Sequence, residues 1–293
     1  MMGEFSVALR QKIRNFYLLT LGGPLKPWVA AIDRWLRNRN RKKTVVVTRD
    51  GVVYQLDLSQ MIDNIIYYNG CFEPEMVEAF SKLIKPGMTV LDIGANVGAH
   101  TFRLAKLVGK EGRVIAFEPT EWAFSKIKDN AELNSDLENV ELENLALSDQ
   151  DADNESYAFR SQWDEYDETD KEKGEINFLT LDTYCRERQI IDVDFIKLDV
   201  DGYETKILRG SKHVLKSCRP ILIVEMSVYW QETVGDSIDD LISILDEIGY
   251  RYFDVNGFVA VEDPVATAKA LEGDEAINVV CFPIAAEGND DSD

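Results

Sequence analysis

Apolar residues in this chain fall into two kinds of block. Val90-Leu91-Asp92-Ile93, Val114-Ile115-Ala116-Phe117, Phe195-Ile196-Lys197-Leu198 and Ile221-Leu222-Ile223-Val224 are near-continuous runs of strand length, as expected of strands covered on both faces. Between them the spacing changes to three and four. Val97-Ala99 followed by Phe102, Leu104, Ala105 and Leu107 predicts an amphipathic helix from 97 to about 108, and similar patterns predict helices over 73–85, 121–134, 203–216 and 237–248. Further strands are expected near 139–144, 251–255 and 277–283. This β-helix-β alternation predicts an α/β fold with a doubly wound, mostly parallel sheet. Upstream, Thr44-Val45-Val46-Val47-Thr48 and Val52-Val53-Tyr54-Gln55-Leu56 flank Asp50-Gly51, a strong hairpin signal. The stretch 148–176 is crowded with Asp and Glu and breaks the alternation, so it is expected to be a lid or a short hairpin insertion.

Chemistry enters at the end of the first parallel strand. Asp92-Ile93-Gly94-Ala95-Asn96-Val97-Gly98 has its glycines four apart, unlike the Gly-x-Gly-x-x-Gly that brings backbone amides to a pyrophosphate. Gly94 and Gly98 allow a tight turn and close ligand approach. A carboxylate at Asp92 would repel a pyrophosphate but suits a ligand with an ammonium and a sulfonium centre, so the loop favours S-adenosylmethionine over NAD. Glu118 ends the next strand, twenty-four residues beyond Gly94, where a carboxylate can accept both ribose hydroxyls. Asp199 closes a later strand, and Asp201 and Glu204 follow within five residues. Desolvating that cluster would raise at least one pKa, so Asp199, Asp201 and Glu204 are candidate bases. Of the two histidines, His100 opens the helix after the glycine loop and is a further catalytic candidate, whereas His213 reads as structural. Asp199, Asp201 and Glu225 could alternatively gather a Mg²⁺ ion that grips a diol.

These segments, together with Gly70-Cys71-Phe72-Glu73-Pro74, Phe117-Glu118-Pro119, Asn144-Leu145-Ala146-Leu147-Ser148, Thr180-Leu181-Asp182 and Phe195-Ile196-Lys197-Leu198-Asp199-Val200-Asp201-Gly202-Tyr203-Glu204, resemble the FkbM-type methyltransferases over about residues 65 to 230. Asp201 departs from the pattern, because that family generally carries Glu there. The resemblance implies a Rossmann-like class I methyltransferase fold with a seven-stranded, mostly parallel sheet and helices on both faces. It also implies S-adenosylmethionine as cofactor, held by Asp92, Gly94, Asn96, Gly98, Glu118, Asp199 and, near the adenine, Asn144 or Leu145. The reaction so implied is O-methylation of a hydroxyl on a sugar, glycolipid or other small metabolite. A catalytically silent cofactor-binding scaffold is the alternative of a different class.

Composition sets the remaining bounds. A chain of 293 residues with 45% hydrophobic content can build a packed core. The four cysteines are widely spaced, which suggests neither a zinc site nor a disulfide framework. No apolar run reaches eighteen residues and no signal-peptide core is recognised, so a cytoplasmic location is expected. Charge is unevenly distributed: residues 1–43 carry ten Lys/Arg against two acids, a net +8, while the remainder carries −29. So acidic a body disfavours nucleic acid as partner. The basic arm, rich in Phe, Leu and Trp, is expected either to pack on the body or to make peripheral contact with the inner membrane face. The organisation expected is an arm-and-hairpin lobe over 1–70, a methyltransferase domain over 71–285 and an acidic disordered tail over 286–293.

Overall fold

A computed structural model describes residues 44–159 and 172–284. The expectations for the basic arm, for the acidic tail and for the middle of the acidic stretch lie outside the described residues. Strands β1 (Thr44–Arg49) and β2 (Val52–Asp57) form an antiparallel hairpin, and its turn residues Asp50 and Gly51 have φ of 48° and 77°. Two successive positive φ values make the turn that matches strand twist, which is why Asp-Gly occupies it. On β2, Val52, Tyr54 and Leu56 alternate inward and share a core with Phe102 and Ile127. The hairpin therefore packs directly on the helices that follow.

Helices α1 (Met61–Asn69) and α2 (Pro74–Leu83) lead into β3 (Thr89–Ile93), α3 (Thr101–Val108), β4 (Arg113–Phe117), α4 (Glu121–Leu133) and β5 (Val140–Glu143). The acidic stretch is a hairpin of β7 (Ala152–Phe159) and β8 (Glu172–Leu179), and β8 also pairs with the short β6 (Ala146–Leu147). The chain continues through α5 (Leu181–Arg188), β9 (Phe195–Leu198), α6 (Glu204–Arg209), α7 (Lys212–Ser217), β10 (Ile221–Met226), α8 (Val228–Thr233), α9 (Ile238–Ile248), β11 (Tyr250–Asp254), α10 (Pro264–Lys269) and β12 (Ile277–Pro283). The central sheet has seven strands in the order β11-β12-β10-β9-β3-β4-β5, with β12 antiparallel to both its neighbours. This is the Rossmann-like class I methyltransferase arrangement. Leu91, Ile93, Ile196 and Leu198 pack into one core and Val90, Val114, Phe195 and Ile223 into another on the opposite face, which accounts for the near-continuous apolar strands.

Two helices differ from their periodicity. Residues 96–100 form a turn rather than the first coil of α3. The helix expected over 203–216 is broken at Gly210-Ser211, where a Cβ on Gly210 would lie 2.1 Å from the Ser148 carbonyl oxygen. Among the described residues no helix is long and apolar enough to cross a membrane.

Candidate functional site

From β3 the chain crosses to β4 on one side, while β9 lies on the other, so the strand order reverses between β3 and β9. A crevice outside the carboxyl ends of such strands is where open α/β sheets bind ligands. A cavity of about 500 Å³ opens there, walled by Gly94, Asn96, Glu118, Asp199, Glu225 and Trp230 among others. Its size falls within the roughly 300–1,000 Å³ of small-molecule sites.

The glycine loop is held from beneath. Gly94 has φ of 85°, and a Cβ there would sit 1.9 Å from the Asp199 carbonyl oxygen, so only glycine lets the β3 and β9 ends approach so closely. Gly98, at φ of 84°, abuts the Phe102 ring and does not line the cavity. Asn96 takes φ of 49°, a conformation Asn tolerates, and its side chain accepts from Val97 N at 2.8 Å. Below the loop, Asp92 stands beside Lys197 in the β3/β9 register, and the two side chains share one face of the sheet. Lys197 Nζ donates to the Gly94 carbonyl at 2.9 Å and lies 3.1 Å from Asp199 and 3.4 Å from Asp92. Burial alone would lower the Lys197 pKa, but the Asp199 and Asp92 carboxylates outweigh it and hold the ammonium above the usual lysine range. Asp92 is fully buried, accepts from Thr101 Oγ1 at 2.6 Å and does not line the cavity. Its charge faces Lys197 rather than the ligand space.

On the β4 side, Glu118 lines the cavity while its carboxylate accepts from Asn96 N at 2.9 Å, Thr120 N at 2.9 Å and Thr120 Oγ1 at 2.5 Å. Burial pushes its pKa up, against the pull of those donors. A carboxylate offers roughly four lone-pair sites, so a place remains for one hydroxyl and a second opens if the Thr120 hydroxyl turns away. Asn144 does not reach the cavity; its Nδ2 donates to the Glu118 and Pro119 carbonyls at 2.9 and 3.1 Å and braces the strand ends. Leu145, with Phe117 and Leu147, supplies an apolar wall. A glycine loop with no room for a side chain, a buried acid facing the cavity and an apolar wall beside it fit an adenosine. Glu118, Asn96 and Leu145 could hold that part of S-adenosylmethionine.

The opposite wall is acidic. Asp199 and Asp201 line it, and Asp201 has φ of 50°. Glu225, half-buried at the end of β10, is pushed well above the usual carboxylate range by burial and by Asp199, Asp201, Glu204 and Glu73 around it. Glu204 does not line the cavity. It turns inward at the start of α6, where its carboxylate accepts from Val200 N at 2.9 Å and from Gln231 Nε2, tying the Asp199–Gly202 loop to α8. Burial pushes its pKa up to about 8.

His100 lines the cavity too, 4% exposed, with its ring edge-on to Phe80. Its Nε2 is 2.9 Å from Glu73 Oε2, and Asn278 Nδ2 donates to Glu73 Oε1 at 3.3 Å. His100 Nδ1 and Asn278 Oδ1 are buried with no hydrogen-bond partner. Lys197 and Glu73 carry no role in the sequence reading. A lysine inside an otherwise apolar strand was the available signal for the first; nothing in the sequence marks the second except its place in a family-like segment. Among the described residues, no three His, Cys, Asp or Glu side chains are grouped to hold a metal ion.

A family model described as the Methyltransferase FkbM domain matches residues 92–252, more than half of the chain. The 2-O-methyltransferase NoeI of Sinorhizobium fredii is 27% identical over 164 residues, covering 47% of this chain and 63% of that protein. An arsenite methyltransferase of Halobacterium salinarum is 36% identical over 86 residues, covering 29% of this chain and 21% of its own length. The matches thus span less than two thirds of these curated relatives. Among solved structures, a methyltransferase FkbM from Methylobacillus flagellatus aligns at a TM-score of 0.42 with 16% identity, covering 75% of this chain and 52% of that one.

Proposed function

The chain belongs to the FkbM methyltransferase family, whose methyl donor is S-adenosylmethionine, and we propose that it methylates a hydroxyl oxygen on a sugar, glycolipid or other small metabolite. The observation that carries this reading is the acidic wall of the cavity, formed by Glu73, Asp199, Asp201 and Glu225. Such a wall repels a phosphodiester backbone and accepts hydrogen bonds from a polyhydroxylated molecule. The similarity to NoeI, named as a 2-O-methyltransferase, agrees with it.

When bound, S-adenosylmethionine supplies an electrophilic methyl group on a positively charged sulfur. Glu118 and the loop at Gly94–Asn96 orient the nucleoside end. Asp199, held by Lys197, places negative charge on the cavity wall. A neutral alcohol must lose its proton as it attacks, and a carboxylate of the wall receives it, a contribution on the order of 10²–10⁴ in rate. Holding oxygen and methyl group in line provides much of the rest.

The test is incubation with methyl-¹³C-labelled S-adenosylmethionine and small-molecule acceptor pools, followed by NMR of the products. A methoxy resonance supports the reading. Label on nitrogen or carbon overturns the oxygen assignment, and cofactor binding without transfer to any pool favours a silent scaffold.

A further inference from the structure

Resting on the reading of the site as a hydroxyl methyltransferase, we infer that Glu73 is the carboxylate that takes the acceptor's proton, with His100 as the residue that positions it. Three of the other candidate carboxylates are engaged, neutralised or withdrawn, and Asp201 remains on the cavity wall with Glu73. Asp199 is engaged by Lys197 at 3.1 Å. Glu225 is held toward its neutral form by burial and by the acids around it. Glu204 points away from the cavity into hydrogen bonds with Val200 N and Gln231 Nε2.

Glu73 is built differently. Its backbone sits at φ 42° and ψ 76°, the left-handed region, directly before Pro74 at the start of α2. A residue preceding proline is driven toward extended conformations, and non-glycine residues with positive φ are uncommon, so the position is strained twice over. Strain of this kind persists where the surroundings enforce it and gathers at functional sites. Here the enforcing partners are His100 Nε2 at 2.9 Å on one oxygen and Asn278 Nδ2 at 3.3 Å on the other. They fix the carboxylate while leaving lone pairs open, and the side chain remains 21% exposed on the cavity wall. His100 is clamped between Phe72 and Phe80 and faces the same cavity. Its buried environment serves the contact with Glu73.

In the step so assigned, the acceptor O–H bond breaks and its proton passes to Glu73. The oxygen's electron pair forms the bond to carbon, and the pair of the breaking carbon–sulfur bond stays on sulfur, which becomes a neutral thioether. Glu73 then releases the proton to water through its exposed side.

The experiment is a set of full-length variants assayed for transfer from methyl-tritiated S-adenosylmethionine into a small-molecule extract of the source cells. Cofactor affinity by calorimetry and melting temperature are measured alongside. Glu73→Gln is expected to lower kcat by about 10²–10³ with acceptor KM, cofactor affinity and melting temperature little changed. His100→Phe, which fills the slot without an N–H donor, should lower kcat about tenfold, and His100→Gln, which restores a donor, should recover most of that loss. Glu73→Gln within threefold of the parent, or losing cofactor affinity in step with kcat, overturns the assignment. Equal loss in His100→Phe and His100→Gln overturns the positioning role. Absence of transfer by the parent protein itself contradicts the methyltransferase reading, and the inference falls with it.

Discussion

The two walls of the cavity are made to different standards. On the proposed cofactor wall, Glu118 takes three donors from Asn96 and Thr120, and Lys197 donates to the Gly94 carbonyl, pairs with Asp92, whose Oδ1 is buried without a hydrogen bond, and reaches across to Asp199 on the acidic wall. On the proposed acceptor wall, His100 Nδ1 and, behind Glu73, Asn278 Oδ1 are buried without partners, and Glu73 holds a left-handed backbone before a proline. An unsatisfied buried polar atom costs about 1–3 kcal/mol and a strained residue a similar amount. A fold keeps such costs where function requires them. The difference is one of degree: each side carries a buried unpartnered atom, and the proposed acceptor wall adds a left-handed residue directly before a proline.

The comparison breaks most visibly at Lys197. Lys197→Met leaves the fully buried Asp92 without a counter-charge, and the expected loss is about 3–5 kcal/mol of unfolding free energy in urea. The double variant with Asp92→Asn should recover a large part of it. A single variant as stable as the parent would mean that the Lys197 contacts do not hold the cofactor wall together.

A smaller effect lies behind the acceptor loop. The Glu204 carboxyl has a folded-state pKa of about 8, above its ordinary 4.5, because of burial. The folded chain therefore binds this proton more tightly than the unfolded one. The stability linked to it is complete below about pH 4.5 and is lost as pH rises through about 8. Melting temperature should decline across that window, and Glu204→Gln should flatten the decline. Parallel pH curves for parent and variant would refute this. The smallest expected effect concerns metal: EDTA should change turnover by less than about twofold, since carboxylates can take the proton unaided. Loss of activity on chelation with recovery on adding Mg²⁺ would move the chemistry from proton acceptance to a metal-gripped diol.

The sheet and the cofactor loop were legible because local constraints write them into the chain. Strands covered on both faces must be continuously apolar, and a turn with positive φ at Gly94, Asn96 and Gly98 admits few residues. Asp92 was legible as a charge at a strand tip but not in its direction. Its partner, Lys197, is 105 residues away and meets it only through the β3/β9 register. Glu204 illustrates the converse. Closeness in sequence to Asp199 and Asp201 suggested one cluster, yet the start of α6 turns it inward. Glu73 and His100, on separate elements and 27 residues apart, share no periodicity that could announce them.

The most direct test of the two-walled cavity is calorimetric titration of S-adenosylmethionine into the parent protein, Glu118→Ala and Glu73→Gln. With Glu118 as the proposed ribose ligand, its loss should remove at least one charge-assisted hydrogen bond and raise the dissociation constant by about tenfold or more, equivalent to about 1.4 kcal/mol. Glu73→Gln should bind the cofactor within about twofold of the parent. Unchanged affinity in Glu118→Ala, or an equal loss in both variants, would contradict the division of the site.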